Sequence, residues 1–333
     1  MLLSKNEIET LFQEDDGLLV YSIQLDIETI PRKDHNHGRS RIITRNSYKE
    51  ADMKVGIIGA GTMGSGIAQA FATTNGYEVI LSDMNRDLAQ KGFESIAVKL
   101  ARNVAKGRLE PQAADTVLAR IAVGTNDDLC GCDLVLEAAV EDMQIKKRLF
   151  SEISASCPDT TIFATNTSSL SITELGHGIK QPVIGMHFFN PAETMKLVEV
   201  IAGFHTQQAI IEKVTAIARD IGKVPVQVQD SAGFVVNRLL IPMINEAVYL
   251  LAEGVASAEH IDEAMKLGAG HPMGPLALGD LIGLDVCLAI MEVLHAETGD
   301  DKYRPHTLLR KMTRGGLLGK KTGKGFFNYA KQE

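Results

Sequence analysis

The chain lacks the features that would mark a secreted, membrane-spanning or nucleic-acid-binding protein. It has only 4 cysteines in 333 residues, at Cys130, Cys132, Cys157 and Cys287, and no CxxC pair. Neither a disulfide framework nor a metal site is expected from them, and they read as the reduced thiols of a cytoplasmic protein. No apolar run reaches the roughly 20 residues a helix needs to cross a bilayer. The first residues carry Glu7, Glu9, Glu14, Asp15 and Asp16 without a long apolar stretch, so a secretory signal or transit peptide is not expected. Positive charge is also in deficit. With 34 Lys and Arg against 42 Asp and Glu, the formal net charge is −8. That balance argues against a general nucleic-acid or anionic-membrane binder, while leaving room for a local basic cluster that holds a small anion.

What is present fits two globular domains. Hydrophobic residues make up 45% of the chain and charged residues 23%, enough to build sizeable cores. Residues 1–52 stand apart, with a basic, polar patch from Arg32 to Arg45 and one alternating stretch, Ser22 to Ile30, that could form a strand. From Lys54 short apolar runs alternate with helical periodicity. Strands are expected near 55–58, 78–82, 121–123, 134–136, 161–164, 183–188, 196–201 and 224–228, with helices between them, among them 62–74, 85–106, 143–156 and 207–221. That alternation implies an α/β fold with a doubly wound, mostly parallel Rossmann-type sheet over residues 53–229. Beyond Asp230 the strand signals stop. Residues 235–251, 258–267, 276–295 and 306–312 read as helices, so residues 230–333 are expected to form an all-α C-terminal domain.

Gly59-Ala60-Gly61-Thr62-Met63-Gly64 matches GxGxxG between a strand and a helix. Gly59 permits the tight turn, Gly61 lets backbone approach a pyrophosphate, and Gly64 lets the helix pack on the strand. The helix start at Thr62 and Met63 then offers free N–H groups and a favourable dipole to phosphates. Asp83 ends the second strand 19 residues after Gly64, where an acid grips the adenosine ribose. A carboxylate there repels a 2′-phosphate, favouring NAD over NADP, although Arg86 lies close in sequence. Two other nucleotide motifs fail. Gly319 to Lys324 lacks the GKS/GKT arrangement of a P-loop, and the kinase glycine loop lies between two strands, whereas here a helix follows.

A Rossmann fold does not name a reaction. Alcohol oxidation needs a base for the hydroxyl proton, and histidine titrates in the right range. Among 9 histidines, His187 ends an apolar strand, and Glu199 lies 12 residues later inside another apolar run. A carboxylate in such a run needs a partner. If the two strands pair through the Asn190–Thr194 turn, Glu199 meets His187, orients it and stabilises its protonated form. The spacing equally allows a core histidine beside an unrelated edge-strand glutamate.

Several separated motifs together resemble the 3-hydroxyacyl-CoA dehydrogenase family, over Met53 to Tyr329. They are the glycine turn, Asn166 to Ser169, His187 to Pro191, Met195 to Val200, Gly233 to Arg238, Pro272 to Pro275 and Gly319 to Phe326. Within the family, bacterial enzymes acting on 3-hydroxybutyryl-CoA are the most similar. The resemblance implies that His187 is the general base, Glu199 its partner, Ser168 a contact to the substrate's 3-oxygen, and Asn237 an aligning residue at the domain junction. It implies cofactor contacts at Glu141, Lys146, Asn190 and Lys321; apart from the family, Ser168 reads as a turn serine, Asn237 as a polar residue at a helix start, and Lys146-Lys147-Arg148 as an exposed helix face. It further implies a homodimer, joined through apolar residues of 276–284. Departures from the family pattern fall at Glu193-Thr194, Ala232 and Gly270, outside the proton-transfer pair.

The expected activity is NAD-dependent interconversion of (3S)-3-hydroxyacyl-CoA and 3-oxoacyl-CoA. The basic helix with Lys91, Lys99, Arg102, Lys106 and Arg108, together with Ser95, could supply counter-charge to CoA, or be an ordinary solvated helix. A dehydrogenase for free 3-hydroxy acids, or a cofactor-binding protein without catalysis, are the rivals. Because family members usually begin near Met53, residues 1–52 are expected to be a mis-set start or a flexible extension.

Overall fold

The computed structural model describes residues 53–329. The expectations for residues 1–52, including the strand at 22–30, lie outside the described residues. Eight strands form one sheet: β1 (Met53–Ile58), β2 (Tyr77–Asp83), β3 (Ile121–Thr125), β4 (Leu134–Glu137), β5 (Ile162–Thr165), β6 (Val183–Phe188), β7 (Leu197–Ala202) and β8 (Val224–Gln229). Their order is β3-β2-β1-β4-β5-β6-β7-β8. All neighbours are parallel except β6 and β7, which run antiparallel. The strand order reverses between β1 and β4, and in such sheets ligands bind at that switch point, outside the carboxyl ends of the strands.

The strands are nearly continuous apolar runs because both faces are covered. On one face lie α1 (Thr62–Thr73), α2 (Arg86–Ala105), α3 (Pro111–Ala119) and α6 (Gln208–Asp220). They bury Phe71, Ile96, Val117 and Val214 against Val55, Ile57 and Leu134. On the other lie α4 (Met143–Ser154) and the short α5 (Ile172–Gly176), with Phe150 and Ile153 packed on Val135 and Phe163. Helix starts follow capping chemistry: Asn85 accepts from Leu88 N at 3.0 Å and Asp142 from Ile145 N at 2.9 Å. The helix α3, with Pro111 in its first turn, is one that apolar periodicity does not single out.

The C-terminal part is helical, with α7 (Val236–Ala252), α8 (Ala258–Gly268), α9 (Pro275–Ile282), α10 (Leu284–Thr298) and α11 (Thr307–Arg314) around a core of Ile244, Val248, Leu276, Leu284 and Met291. The helix expected over 276–295 is broken in two. Residues 276–295 read as a single helix, but Gly283 adopts φ 107 and ψ 124 and separates α9 from α10. An α-helix cannot pass through that conformation, and only glycine adopts it without strain. Gly270 likewise sits at φ 67, in the left-handed region that asparagine tolerates next best after glycine. None of the described helices is long and apolar enough to cross a membrane.

Candidate active site

The β6–β7 pairing decides the central question. In the antiparallel register His187 stands directly opposite Glu199, so both side chains emerge on one face at close range. His187 Nδ1 lies 2.8 Å from Glu199 Oε2, and both residues are buried. The reading of an unrelated glutamate is thereby set aside. The other carboxylate oxygen, Oε1, accepts the backbone N–H of Val235 and of Val236, each at 3.0 Å. Those amides are aimed by a strained turn. Gly233 has φ 68 and Phe234 has φ 50, the one non-glycine residue with positive φ among the described residues. Holding a phenylalanine there costs on the order of 1–3 kcal/mol. The turn places successive N–H groups around a buried anion, as in other backbone nests. Phe189 and Phe234 flank the imidazole, with ring centroids 4.5 and 5.8 Å away. Glu199 and these rings fix the ring plane, and Nε2 is the nitrogen left to meet a substrate.

A second network adjoins the first. Glu141 Oε1 accepts from Thr167 Oγ1 (2.7 Å), Ser168 N (2.7 Å) and Ser168 Oγ (2.9 Å). Asn237, on α7, donates from Nδ2 to the Ser168 carbonyl at 3.2 Å. Thus Ser168, Glu141 and Asn237 meet at the junction of the sheet domain and the helices. Burial alone would raise the Glu141 carboxyl, but the charge of Lys146 and the hydrogen bonds from Thr167 and Ser168 outweigh it and hold it below its ordinary value.

Lys146 is not on an exposed face. It is 1% exposed, and its ammonium lies 2.7 and 2.8 Å from the two oxygens of Glu137, itself fully buried, and 3.5 Å from Glu141 Oε2. Glu137 also accepts from Thr165 Oγ1 and Ala139 N. Glu137 escaped notice in the sequence, although it ends the apolar run Leu134–Leu136, the same signal that exposed Glu199.

The glycine turn fits a dinucleotide. Gly59 has φ 94, and a Cβ at Gly64 would run into the Gly59 carbonyl oxygen, so α1 packs down on the turn as the motif requires. A Cβ at Gly61 would meet nothing within 4 Å, leaving open space over the exposed helix start at Gly61 and Thr62, with Met63 half-buried behind them. Asp83 ends β2 beside this turn, accepting from Ala60 N at 2.7 Å and from Met84 N at 2.7 Å. Asn190 is exposed just past β6. Lys321 is held in the helical domain by Asp285, at 2.6 Å. Ser95 and Arg102 are exposed on α2. With Lys99 and Lys106 they fall at helical spacing on one side of it, and Lys99 reaches Glu193 in the β6–β7 turn at 3.3 Å.

A switch-point dinucleotide turn, a buried histidine–carboxylate pair and a serine at a domain junction define a nicotinamide-dinucleotide oxidoreductase. Residues 54–231 match the 3-hydroxyacyl-CoA dehydrogenase NAD binding domain, and residues 233–329 match the 3-hydroxyacyl-CoA dehydrogenase C-terminal domain. The chain is 54% identical over 282 residues to a 3-hydroxybutyryl-CoA dehydrogenase of Clostridioides difficile, covering 84% of this chain and 100% of that protein. It is 40% identical to the human mitochondrial hydroxyacyl-coenzyme A dehydrogenase, over 83% of this chain and 90% of that one. The crystal structure of (S)-3-hydroxybutyryl-CoA dehydrogenase from Ralstonia eutropha superposes with a TM-score of 0.79 at 48% identity, over 84% of this chain and 99% of that one. The chain belongs to the 3-hydroxyacyl-CoA dehydrogenase family.

Proposed function

We propose that the protein interconverts (3S)-3-hydroxybutyryl-CoA and acetoacetyl-CoA with NAD. The observation that carries this reading is the 2.8 Å contact between His187 Nδ1 and Glu199, which leaves Nε2 as the base. When bound, the nicotinamide supplies the two-electron acceptor. His187 Nε2 takes the 3-hydroxyl proton as C3 is oxidised, and Glu199 holds the Nδ1 proton and compensates the imidazolium charge. Ser168 contacts the 3-oxygen, and Asn237 fixes Ser168 through its carbonyl. In the reverse direction the imidazolium donates to the carbonyl oxygen.

The cofactor is held at Gly59, Gly61, Thr62, Met63, Gly64 and Asp83, with Glu141, Lys146, Asn190 and Lys321 toward the nicotinamide end. The Asp83 carboxylate, fixed by Ala60 N, repels a 2′-phosphate, which favours NAD over NADP. The line of Ser95, Lys99 and Arg102 on α2, with Lys106 just past its end, takes the CoA phosphates. Residues 53–229 bind the cofactor, and residues 230–333 complete the substrate site and form a homodimer. For the dimer face, Leu276 and Leu284 are excluded because both are wholly buried in their own domain. Leu239, Leu281 and Val286, at 71%, 50% and 38% exposure, are among the exposed apolar side chains of this domain, as are Leu267 and Val255. We place the enzyme in the cytoplasm.

NADH absorbance, followed with acetoacetyl-CoA, free acetoacetate, and NADPH in place of NADH, tests the reading. Turnover should need the thioester, prefer NADH, and vanish in His187→Ala while NADH still binds. Equal rates with the free acid, or near-normal turnover in His187→Ala, would refute it.

A further inference from the structure

The turn between β6 and β7 carries Asn190 and joins the strands of His187 and Glu199, yet the sheet does not hold it. The ladder ends at the pair Phe188 and Val198. Within the turn, Thr194 N and Met195 N both bond to the Pro191 carbonyl, at 3.1 and 2.9 Å. Ala192 packs into the sheet core beside Gly66 of α1, and from outside a lysine far away in sequence bonds the turn's backbone. Lys223 follows α6, is 7% exposed, and sends its ammonium to the carbonyls of Ala192 (2.6 Å) and Met195 (2.9 Å).

We propose that Lys223 is a positioning residue for the reaction, holding the 190–195 turn so that Asn190 and the end of β6 stay in register with the His187–Glu199 pair. An ammonium taken out of water is costly unless its protons are used, and here two protons go to two carbonyls of one six-residue turn, those of Ala192 and Met195. The charges facing it are Lys196 and Glu193, the first repelling and the second attracting, and burial is the larger influence lowering its proton affinity. Glu193 is itself paired with Lys99 on α2 at 3.3 Å. The turn is therefore tied at three points: the buried Lys223 ammonium, the Lys99–Glu193 ion pair and the packing of Ala192 in the core.

This inference rests on the site reading above, since it is Asn190 that meets the nicotinamide end of the cofactor. His187 keeps its own anchors, Glu199 and the strand ladder. The pyrophosphate grip at Gly59–Gly64 and Asp83 keeps its own hydrogen bonds, and the turn meets helix α1 two residues beyond it, where Ala192 and Glu193 lie against Gly66. Loosening the turn should therefore disturb alignment at the reacting carbon while leaving binding largely intact, and misplacements near 1 Å can cost about a hundredfold in rate.

The test compares Lys223→Met, which keeps length and removes every donor, with Lys223→Gln, which keeps one donating amide should the methionine variant not fold. With acetoacetyl-CoA and NADH, kcat should fall tenfold or more in the methionine variant and less in the glutamine variant. KM for acetoacetyl-CoA and Kd for NADH should stay within threefold. Amide hydrogen exchange in residues 189–196 should accelerate at least tenfold, while residues 197–202 keep their protection. A kcat within twofold of wild type in the folded variants, a parallel rise of KM and Kd that accounts for the loss, or unchanged exchange in the turn would overturn the proposal. A wild-type enzyme inactive on acetoacetyl-CoA would instead refute the substrate reading, and the exchange measurement, which needs no substrate, would still decide whether Lys223 holds the turn.

Discussion

Replacing Glu199 with glutamine is a sharp test, because the structure decides which way the new amide must face. In the native site one carboxylate oxygen meets His187 Nδ1 and the other takes two backbone N–H groups. A glutamine has one acceptor to offer. If its oxygen turns to His187, its NH2 confronts the amides of Val235 and Val236 and leaves both without an acceptor in a buried place. Each such orphan costs about 1–3 kcal/mol, roughly 2–6 kcal/mol in all. If its oxygen stays on the amides, the NH2 donates to Nδ1; the contacts that the carboxylate made charge-assisted become neutral, but every buried donor keeps an acceptor. The second orientation wins. It forces the proton onto Nε2, so the nitrogen facing the substrate can no longer accept one, and no carboxylate remains to compensate an imidazolium. In serine proteases an analogous Asp-to-Asn change lowers kcat about 10⁴-fold through the same wrong tautomer. Here we expect a fall of roughly 10³-fold or more, about 4 kcal/mol of activation free energy. The Kd for NADH should stay within threefold, and melting should change little because the amides keep their acceptor. Steady-state NADH absorbance, NADH fluorescence titration and a thermal melt supply the three numbers. A Glu199→Gln enzyme within tenfold of wild type, with the fold intact, would refute the reasoning.

Lys146→Met strands the fully buried Glu137 carboxylate without its ammonium, and should cost about 3–5 kcal/mol in urea unfolding; replacing Glu137 with leucine in the same chain should recover much of that loss. Glu141→Gln should destabilise the enzyme at neutral pH and progressively less on acidification. The native Glu141 carboxyl is held below its ordinary value, so its contribution is present above that ordinary value and is lost as pH falls through the native one; thermal melts across that range test the sign. Gly283→Ala forces an L side chain to φ 107 and should cost about 1–3 kcal/mol, read as a lower Tm with catalysis retained at low temperature. Burial pushes the Cys132 and Cys287 thiols up to about 12 and raises Cys157 as well, so at neutral pH iodoacetamide should label exposed Cys130 first and the other three only on unfolding, as peptide mapping would show.

The sheet half of the fold was legible because its signals are local. A buried parallel strand is an apolar run, and its neighbours announce themselves by glycine turns and capping residues such as Asn85. The His187–Glu199 register was also within reach, since a short turn between two apolar runs leaves few ways to pair them. The break at Gly283 was harder. An isolated glycine in an otherwise helical pattern is usually tolerated, and only its backbone angles reveal that this one ends a helix. Lys146 was misleading for a related reason. Its neighbour Arg148 does face solvent, and Lys147 is half-buried beside Glu174, but Lys146 stands four residues before Phe150 and seven before Ile153, on the stripe that packs into the core. Helical spacing would have turned it inward had charge not been read first.

The parts of the site that sequence concealed share one property: their partners are distant and many are backbone atoms. Glu199 draws two amides from a turn more than thirty residues away, Asn237 reads a carbonyl of Ser168, and Lys223 holds two carbonyls of the β6–β7 turn. Backbone groups carry no side-chain identity, so no pattern of residue types can mark them as ligands of a charge. What sequence does show is the other half of each contact, a charged residue where the local periodicity calls for an apolar one. Glu137, Lys146 and Glu199 all fit that description, and each sits among the network of buried charges that positions the candidate base and serine. A lone charge inside an apolar stripe is therefore the signal to pursue, because burying it is costly unless a partner has been built for it. In this chain Glu137 and Lys146 are each other's partner, and Glu199 has His187 and two backbone amides.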